Sequence, residues 1–441
     1  MTESTFSFID WFRSSTSYIN LHRDKIFVVL LGGDALANEN FPNIVHDLSL
    51  LHSLGVKLVL VHGARPQITD ALEKVGKTSE YHNNLRVTEA SCMEVVKQTV
   101  GSLGTDVEAL FSMGLAGSPM HGSDIRICRG NFVTAMPVGV HNGIDFQYTG
   151  AIRKIDANAI EQQLEQNNVV LLSNLGFSFT GEVFNLSVEE VATETAIALK
   201  ADKLILFIPD DGITNSDGDL IPSLTEQDAE YFLNSYSESS GPEKLIISSA
   251  LSAALKAYQK NVHRSHLISF KQNGALLQEL FTREGNGTLL SSDNFEKLRQ
   301  ASVNDVAGIV NLIKPLEQAG TLVERSRELL ETEIENFKVV EFEGLIIACA
   351  ALYPMENKSG EVACIASHPA YQNNGYGVRL LASLESEARN AGLEKLFVLT
   401  TTAAHWFLEK GFKESKIADL PEQKQLLYNF QRNSKVFVKI L

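Results

Sequence analysis

The stretch EVACIASHPAYQNNGYGVRLLASLESEARNAGL, residues 361–393, decides how the last third of this 441-residue chain folds. Residues 361–366 are compact and partly β-branched, as a short strand requires. Gln372-Asn373-Asn374-Gly375-Tyr376-Gly377 follows, rich in residues that turn a chain. Leu380, Leu381, Leu384 and Ala388 then recur at helical spacing, and Gly392 stands where a helix ends on a left-handed residue. A glycine turn between a strand and a helix start presents unpaired N–H groups to an anion and lets it come close to the backbone. No Gly-Lys-Ser/Thr follows, as the Walker loop requires, and the spacing is not Gly-x-Gly-x-x-Gly.

Working outward, TLLSSDNFE at 288–296 is polar and marks a boundary, after which LRQASVNDVAGIVNLI at 298–313 reads as a strand and then a helix. Asn304 or Asp305 is placed to cap that helix. Further strands are expected at 337–342, 345–352, 361–366 and 395–400, giving an α+β unit over 295–441. Upstream, the runs at 26–33, 57–63, 169–176 and 203–212 are almost continuously apolar, and helical segments such as 189–200 separate them. Strands of that kind belong to a mostly parallel sheet covered on both faces, so 25–290 is expected to be a doubly wound α/β unit.

Residues 1–24 are expected to form an amphipathic helix, with Phe8, Ile9 and Phe12 on one side. Glu3 and Asp10 argue against a targeting peptide, so the helix is expected to pack on another subunit of a homo-oligomer. The formal net charge of −16 opposes non-specific nucleic-acid binding. Cys92, Cys128, Cys349 and Cys364 form no CxxC pair, and the histidines show no zinc spacing. A reduced, cytoplasmic protein without membrane partner or metal is expected.

The 361–393 stretch resembles the coenzyme A motif of the GNAT acetyltransferases, and 298–313 is similar to the opening of that fold. Nearly the whole chain resembles the bacterial N-acetylglutamate synthase family, which joins an amino-acid-kinase-like domain to a GNAT domain. The resemblance implies acetyl transfer from acetyl-CoA to the α-amino group of L-glutamate, the first step of arginine biosynthesis, with L-arginine as feedback inhibitor. It assigns pantetheine contacts to the backbone of Ile365, Ala366 and Ser367, and pyrophosphate contacts to Gln372, Asn373, Asn374, Gly375, Tyr376 and Gly377. Glu361 stands in the family's E-x-A-C context as the general base. Thr400 is a hydrogen-bond donor, and Cys364 a nucleophile only on a covalent route. If a strand bulge intervenes, Cys364 and Glu361 face the same way.

Two substrate carboxylates call for cations, and the resemblance places them at Arg325, Lys424 and Arg432. Trp406 and Phe407 precede Gly411-Phe412, so no phenol occupies the position where many GNAT enzymes carry an acid.

The 25–290 unit resembles the amino-acid kinases but departs from them at three points. Leu30 replaces the lysine of K-x-G-G, the next loop reads His62-Gly63-Ala64-Arg65-Pro66, and Glu189 replaces an aspartate. Binding without phosphoryl transfer is the expectation. Residues 266–288 resemble an arginine sensor, with Tyr18, His266, Glu279, Gly285, Gly287 and Thr288 as ligand contacts. A bifunctional synthase and kinase, or a transferase for another amino acid, are the alternatives.

Overall fold

The computed structural model describes residues 15–441 apart from 17, 114–121, 123, 216, 238–240, 283–284, 292–295, 343–344, 373–374, 427 and 430–431. Phe8, Ile9 and Phe12 of the N-terminal segment, and Asn373 and Asn374 of the glycine turn, lie outside the described residues. The chain divides into two compact units, Met1–Ser292 and Asp293–Leu441.

In the first unit, the strands β1 (Ile26–Leu31), β2 (Lys57–His62), β3 (Ile127–Cys128), β4 (Val169–Ser173), β5 (Lys203–Ile208), β6 (Ser223–Leu224), β7 (Arg264–Ser269) and β8 (Gly287–Ser291) form one sheet. Their order is β6-β8-β7-β5-β1-β2-β4-β3, and neighbours are parallel except β7 and β8. The apolar runs have a physical cause. Val28 and Leu30 of β1 join one core, while Phe27, Val29 and Leu31 join the core on the opposite face. A strand buried on both sides cannot alternate with polar residues.

The helices α1 (Phe41–Ser53), α2 (Met93–Phe111) and α5 (Ala275–Phe281) contribute to the second core. The first is covered by α3 (Val188–Ala198) and α4 (Pro242–Gln259). A separate four-stranded sheet, Val183–Asn185, Leu175–Phe177, Val133–Pro137 and Gly150–Ile155, was not foreseen. Two of its strands have only three residues, too short to show a period of two.

In the second unit, β9 (Glu296–Gln300), β10 (Phe337–Phe342), β11 (Leu345–Met355), β12 (Ser359–Ser367), β13 (Lys395–Thr400), β14 (Lys413–Ser415) and β15 (Lys435–Ile440) lie in the order β9-β10-β11-β12-β13-β15-β14. Every pair is antiparallel except β12 with β13. Helix α8 (Tyr376–Asn390) buries Leu380, Leu381, Leu384 and Ala388 on one face of this sheet. Helices α6 (Val306–Gln318) and α7 (Arg327–Glu333) cover the other face.

Gly392 closes α8 at φ 74°, and the Leu393 amide donates to the Ala388 carbonyl at 2.9 Å. At the start of α6 the cap differs from expectation. Ser302 forms a capping box with Asp305, and Asp305 also receives the Arg299 guanidinium at 2.7 and 2.8 Å. Hydrogen bonding from Arg299 holds the Asp305 carboxyl at about 2.

Candidate active site

Strand β12 is paired with β11 along its whole length, but with β13 only at Ser359, Gly360 and Glu361. Beyond Glu361 the two parallel strands part, and residues 362–367 present a free backbone edge. A cleft of about 1110 Å³ opens there, lined by both parted strands and by the first turn of α8. Ile365, Ala366, Ser367, Gln372, Gly375, Tyr376 and Gly377, the described residues assigned to the coenzyme, all line it.

Gly375 is the left-handed residue before α8, at φ 76°, and a methyl group added there would meet no atom within 4 Å. The helix start therefore faces open space, as an approaching anion requires. Gly377 has a different reason to be glycine, since a side chain would press on the Trp406 indole at 3.3 Å.

A bulge sets which residues share the face of Glu361. Cys349 pairs with Ala366 and Ala351 with Ala363, so Cys364 and Ile365 oppose the single residue Ala350. Cys364 takes φ 54° and joins the α6–α7 core, the core against which Tyr353, cross-strand partner of Glu361, also packs. Glu361 and Cys364 thus lie on one face, although three residues of regular strand would set them on opposite faces. Cys349, read in the sequence only as one of four cysteines without a CxxC pair, has its thiol 3.5 Å from the Cys364 carbonyl oxygen. Hydrogen bonding to Cys364 and full burial push the Cys349 thiol up.

Glu361 is 7% exposed, and its Oε2 is 2.7 Å from the Lys424 ammonium. Lys424, expected from the resemblance to bind a substrate carboxylate, is paired here with Glu361. A nearly buried carboxylate needs a countercharge, and Lys424 supplies it. Arg432 behaves otherwise. It donates to the backbone oxygens of Thr321 and Gly320, and its buried Nε has no hydrogen-bond partner. Burial, and then the charge of Arg325, lower its proton affinity. Arg325 precedes the Ser326 cap of α7, whose side chain accepts from the Leu329 amide at 3.2 Å. Both guanidinium groups line one cleft, and one keeps a donor without a partner, a combination whose chemistry suits an anion.

The Thr400 hydroxyl oxygen accepts the Ala403 amide at 3.0 Å, and Thr400 lines the cleft. Tyr428 is a phenol in the cleft that the sequence did not flag, and its hydroxyl donates to the Ser434 carbonyl at 2.6 Å.

In the first unit, His266 Nδ1 and Glu279 Oε1 are 2.6 Å apart, and Glu279 Oε2 accepts the Asn286 amide at 2.7 Å. Lys203, 4% exposed, stands 3.3 Å from His266 Nε2, a cation that the sequence reading missed. Burial opposes the Glu279 charge, yet the His266 and Asn286 bonds hold its carboxyl below the usual range. Gly285, at φ 67°, passes so close that a side chain would meet Glu279 Oε2 at 2.7 Å. Gly287 lies against the Leu267 carbonyl oxygen. The Thr288 hydroxyl is committed elsewhere, donating to Ile221 O and accepting from Ile213 N. Tyr18 and Ile19 pack against the second core of the first unit. Leu30, Ala64, Arg65 and Glu189 line a separate cavity of about 480 Å³.

Residues 25–269 match the amino acid kinase family, and residues 307–412 match the acetyltransferase (GNAT) family. The chain is 51% identical to an amino-acid acetyltransferase of Ectopseudomonas mendocina over 98% of this chain and 99% of that protein. It is 50% identical, with the same coverage, to an amino-acid acetyltransferase of Pseudomonas syringae pv. syringae. Among solved structures it is similar to N-acetylglutamate synthase from Neisseria gonorrhoeae, complexed with coenzyme A and L-arginine. That likeness has a TM-score of 0.83 and 36% identity, over 98% of this chain and 99% of that one. The same synthase complexed with coenzyme A and N-acetyl-glutamate matches with a TM-score of 0.60, at the same identity and coverage.

Proposed function

The chain belongs to the amino-acid acetyltransferase family, and from that premise we propose that it acetylates the α-amino group of L-glutamate with acetyl-CoA and is inhibited by L-arginine. The observation that carries the choice of substrate is the idle Arg432 Nε beside Arg325, in the same cleft as Glu361. A substrate with two carboxylates satisfies these cations. The bacterial synthase bound to coenzyme A and N-acetyl-glutamate supports the same substrate.

In this reading the pyrophosphate lies on the open start of α8, and the pantetheine arm runs along the free edge at Ile365, Ala366 and Ser367. Glu361 takes the proton from the substrate ammonium, with the Lys424 ammonium 2.7 Å from its Oε2. The amine attacks the thioester carbonyl. A carbon–nitrogen bond forms, an oxyanion develops, and the carbon–sulfur bond breaks to release CoA thiolate, which takes the second proton shed by the nitrogen as it becomes an amide. Thr400, with its oxygen held by the Ala403 amide, directs its hydroxyl proton toward the reacting groups. The Tyr428 hydroxyl already donates to the Ser434 carbonyl, so water relays the nitrogen's second proton to the thiolate. Cys364, packed in the core at 5% exposure, has little room for a covalent acetyl intermediate.

Arginine is read as bound near His266 and Glu279, where a carboxylate, a histidine and a close glycine turn meet. The synthase structure bound to L-arginine supports that inhibitor. The test is thiol release from acetyl-CoA across the twenty amino acids, with and without arginine. L-glutamate should stand out by at least tenfold. Equal rates with aspartate or lysine would overturn the substrate.

A further inference from the structure

We propose that Cys349 and Cys364 form an oxidisable dithiol at the wall of the transferase cleft, a modification site that hydrogen peroxide converts to a disulfide. The bulge in β12 brings the two together. Carried on from the Cys349–Ala366 pair, a regular ladder would set Cys364 opposite Ala351, two positions from Cys349. With the extra residue, Cys364 lies opposite Ala350, one position away, and its left-handed backbone at φ 54° turns it into the core that also holds Cys349. The Cys349 thiol is already 3.5 Å from the Cys364 carbonyl oxygen. Cys92 and Cys128 belong to the other unit.

The two sulfurs are not equivalent. Cys349 is fully buried, whereas Cys364 lines the cleft and can be reached from it. Hydrogen bonding from Cys349, and then the charge of Arg325, hold the Cys364 thiol below its ordinary value, against burial and Glu317. Cys364 is therefore the attacking sulfur and Cys349 the resolving one.

The steps balance. The Cys364 thiolate attacks one peroxide oxygen, a sulfur–oxygen bond forms, the oxygen–oxygen bond breaks, and hydroxide leaves and takes a proton. Cys364 is now a sulfenic acid. The Cys349 sulfur then attacks Cys364, the sulfur–oxygen bond breaks, and the departing hydroxide takes the Cys349 proton and leaves as water. One peroxide is reduced to two waters, and the protein loses two hydrogens. The tight packing that opposes an acetyl group on Cys364 does not oppose this bond, because a disulfide adds no atoms.

The consequence for activity rests on the proposed function. Cys364 precedes Ile365 on the edge read as the pantetheine wall, and the bond would draw it toward β11 and withdraw its sulfur from Arg325. Oxidation should therefore slow acetyl transfer.

The test treats the full chain with hydrogen peroxide, alkylates the remaining thiols, and follows intact mass, peptide map and thiol release from acetyl-CoA. The protein should become about 2 Da lighter, with a peptide linking Cys349 to Cys364 that dithiothreitol cleaves. Acetyl transfer should fall about tenfold and return on reduction. Cys349→Ser should keep untreated activity within about threefold and form no link. Its Cys364 should instead gain oxygens that dithiothreitol does not remove, with activity lost for good. If both thiols of the parent remain alkylatable, or Cys364 gains oxygens equally in parent and variant, the dithiol is wrong. A reversible link with unchanged acetyl transfer would keep the modification site and overturn its control of the cleft. Absence of glutamate acetylation in untreated protein would overturn the proposed function, and the mass result would still decide the dithiol.

Discussion

Both units carry a glycine turn at a strand and helix junction, yet the two turns are physically opposite. At Gly375 a methyl group would meet nothing within 4 Å, and a fifteen-residue helix follows. At Gly33 a methyl group would strike Gln67 Oε1 at 2.5 Å and Pro66 Cδ at 2.7 Å, and the helix has four residues. One glycine leaves space for a ligand. The other lets the protein's own side chains pack against the backbone, and Gln67 closes the arrangement by donating to Gly33 O at 2.7 Å. A glycine in a loop therefore reports close approach, and only the surroundings say whether the approaching group is a phosphate or the chain itself.

If chemistry belongs to the open turn alone, Glu361→Gln should lower turnover by roughly two to four orders of magnitude, the weight of general-base catalysis. Acetyl-CoA binding by calorimetry should be nearly unchanged. Activity within a few-fold of the parent would break the comparison at its root.

The units should also separate on acidification. Burial holds His22 at about 3 and His62 at about 4, both in the first unit. These folded values lie below the ordinary 6.5, so the unfolded chain binds protons first as the pH falls. The stability is present above about pH 6.5 and is lost as the pH falls toward 4 and then 3. Between pH 6.5 and 5 each histidine costs the first unit about 2 kcal/mol. Asp305 in the second unit loses its contribution only as the pH falls from the ordinary 3.8 toward about 2. Hydrogen exchange at pH 5 and 7 should show the first unit opening by the larger factor. Equal loosening of both would contradict the assignment.

Regulation tests the first unit without touching the chemistry. Glu279→Ala should weaken arginine inhibition about tenfold, because a charge-assisted contact is worth about 1.5–3 kcal/mol. Uninhibited turnover should be similar to the parent. An unshifted midpoint in the dose–response curve would remove the sensor from this place.

The smallest effect is the sharpest comparison. Gly375→Val should raise the acetyl-CoA Michaelis constant about fivefold, since left-handed strain alone costs about 1–2 kcal/mol. Gly33→Ala should instead lower the melting temperature and leave that constant alone. Reversal of the two results would mean that the turns have been assigned the wrong way round.

Sequence by itself determined the element types wherever a period was long enough to be read. The apolar runs of β1, β2, β4 and β5 state burial on both faces. The spacing of Leu380, Leu381, Leu384 and Ala388 states one face of a helix, because side-chain direction follows directly from backbone period. The motif also marked Glu361 and the turn before α8. The bulge that turns Cys364 to the same face was only a conditional reading there, and the sequence did not reveal that β12 and β13 part after Glu361, or that Lys424 pairs with Glu361 while Arg432 keeps an idle donor. Nor did it disclose Lys203 beside His266, which it presented only as the first residue of a strand. Pairing across sixty residues, countercharge for a buried carboxylate and the space beside a glycine are properties of neighbours distant in the chain. They exist only once tertiary packing has decided which groups lose water and which groups remain to replace it.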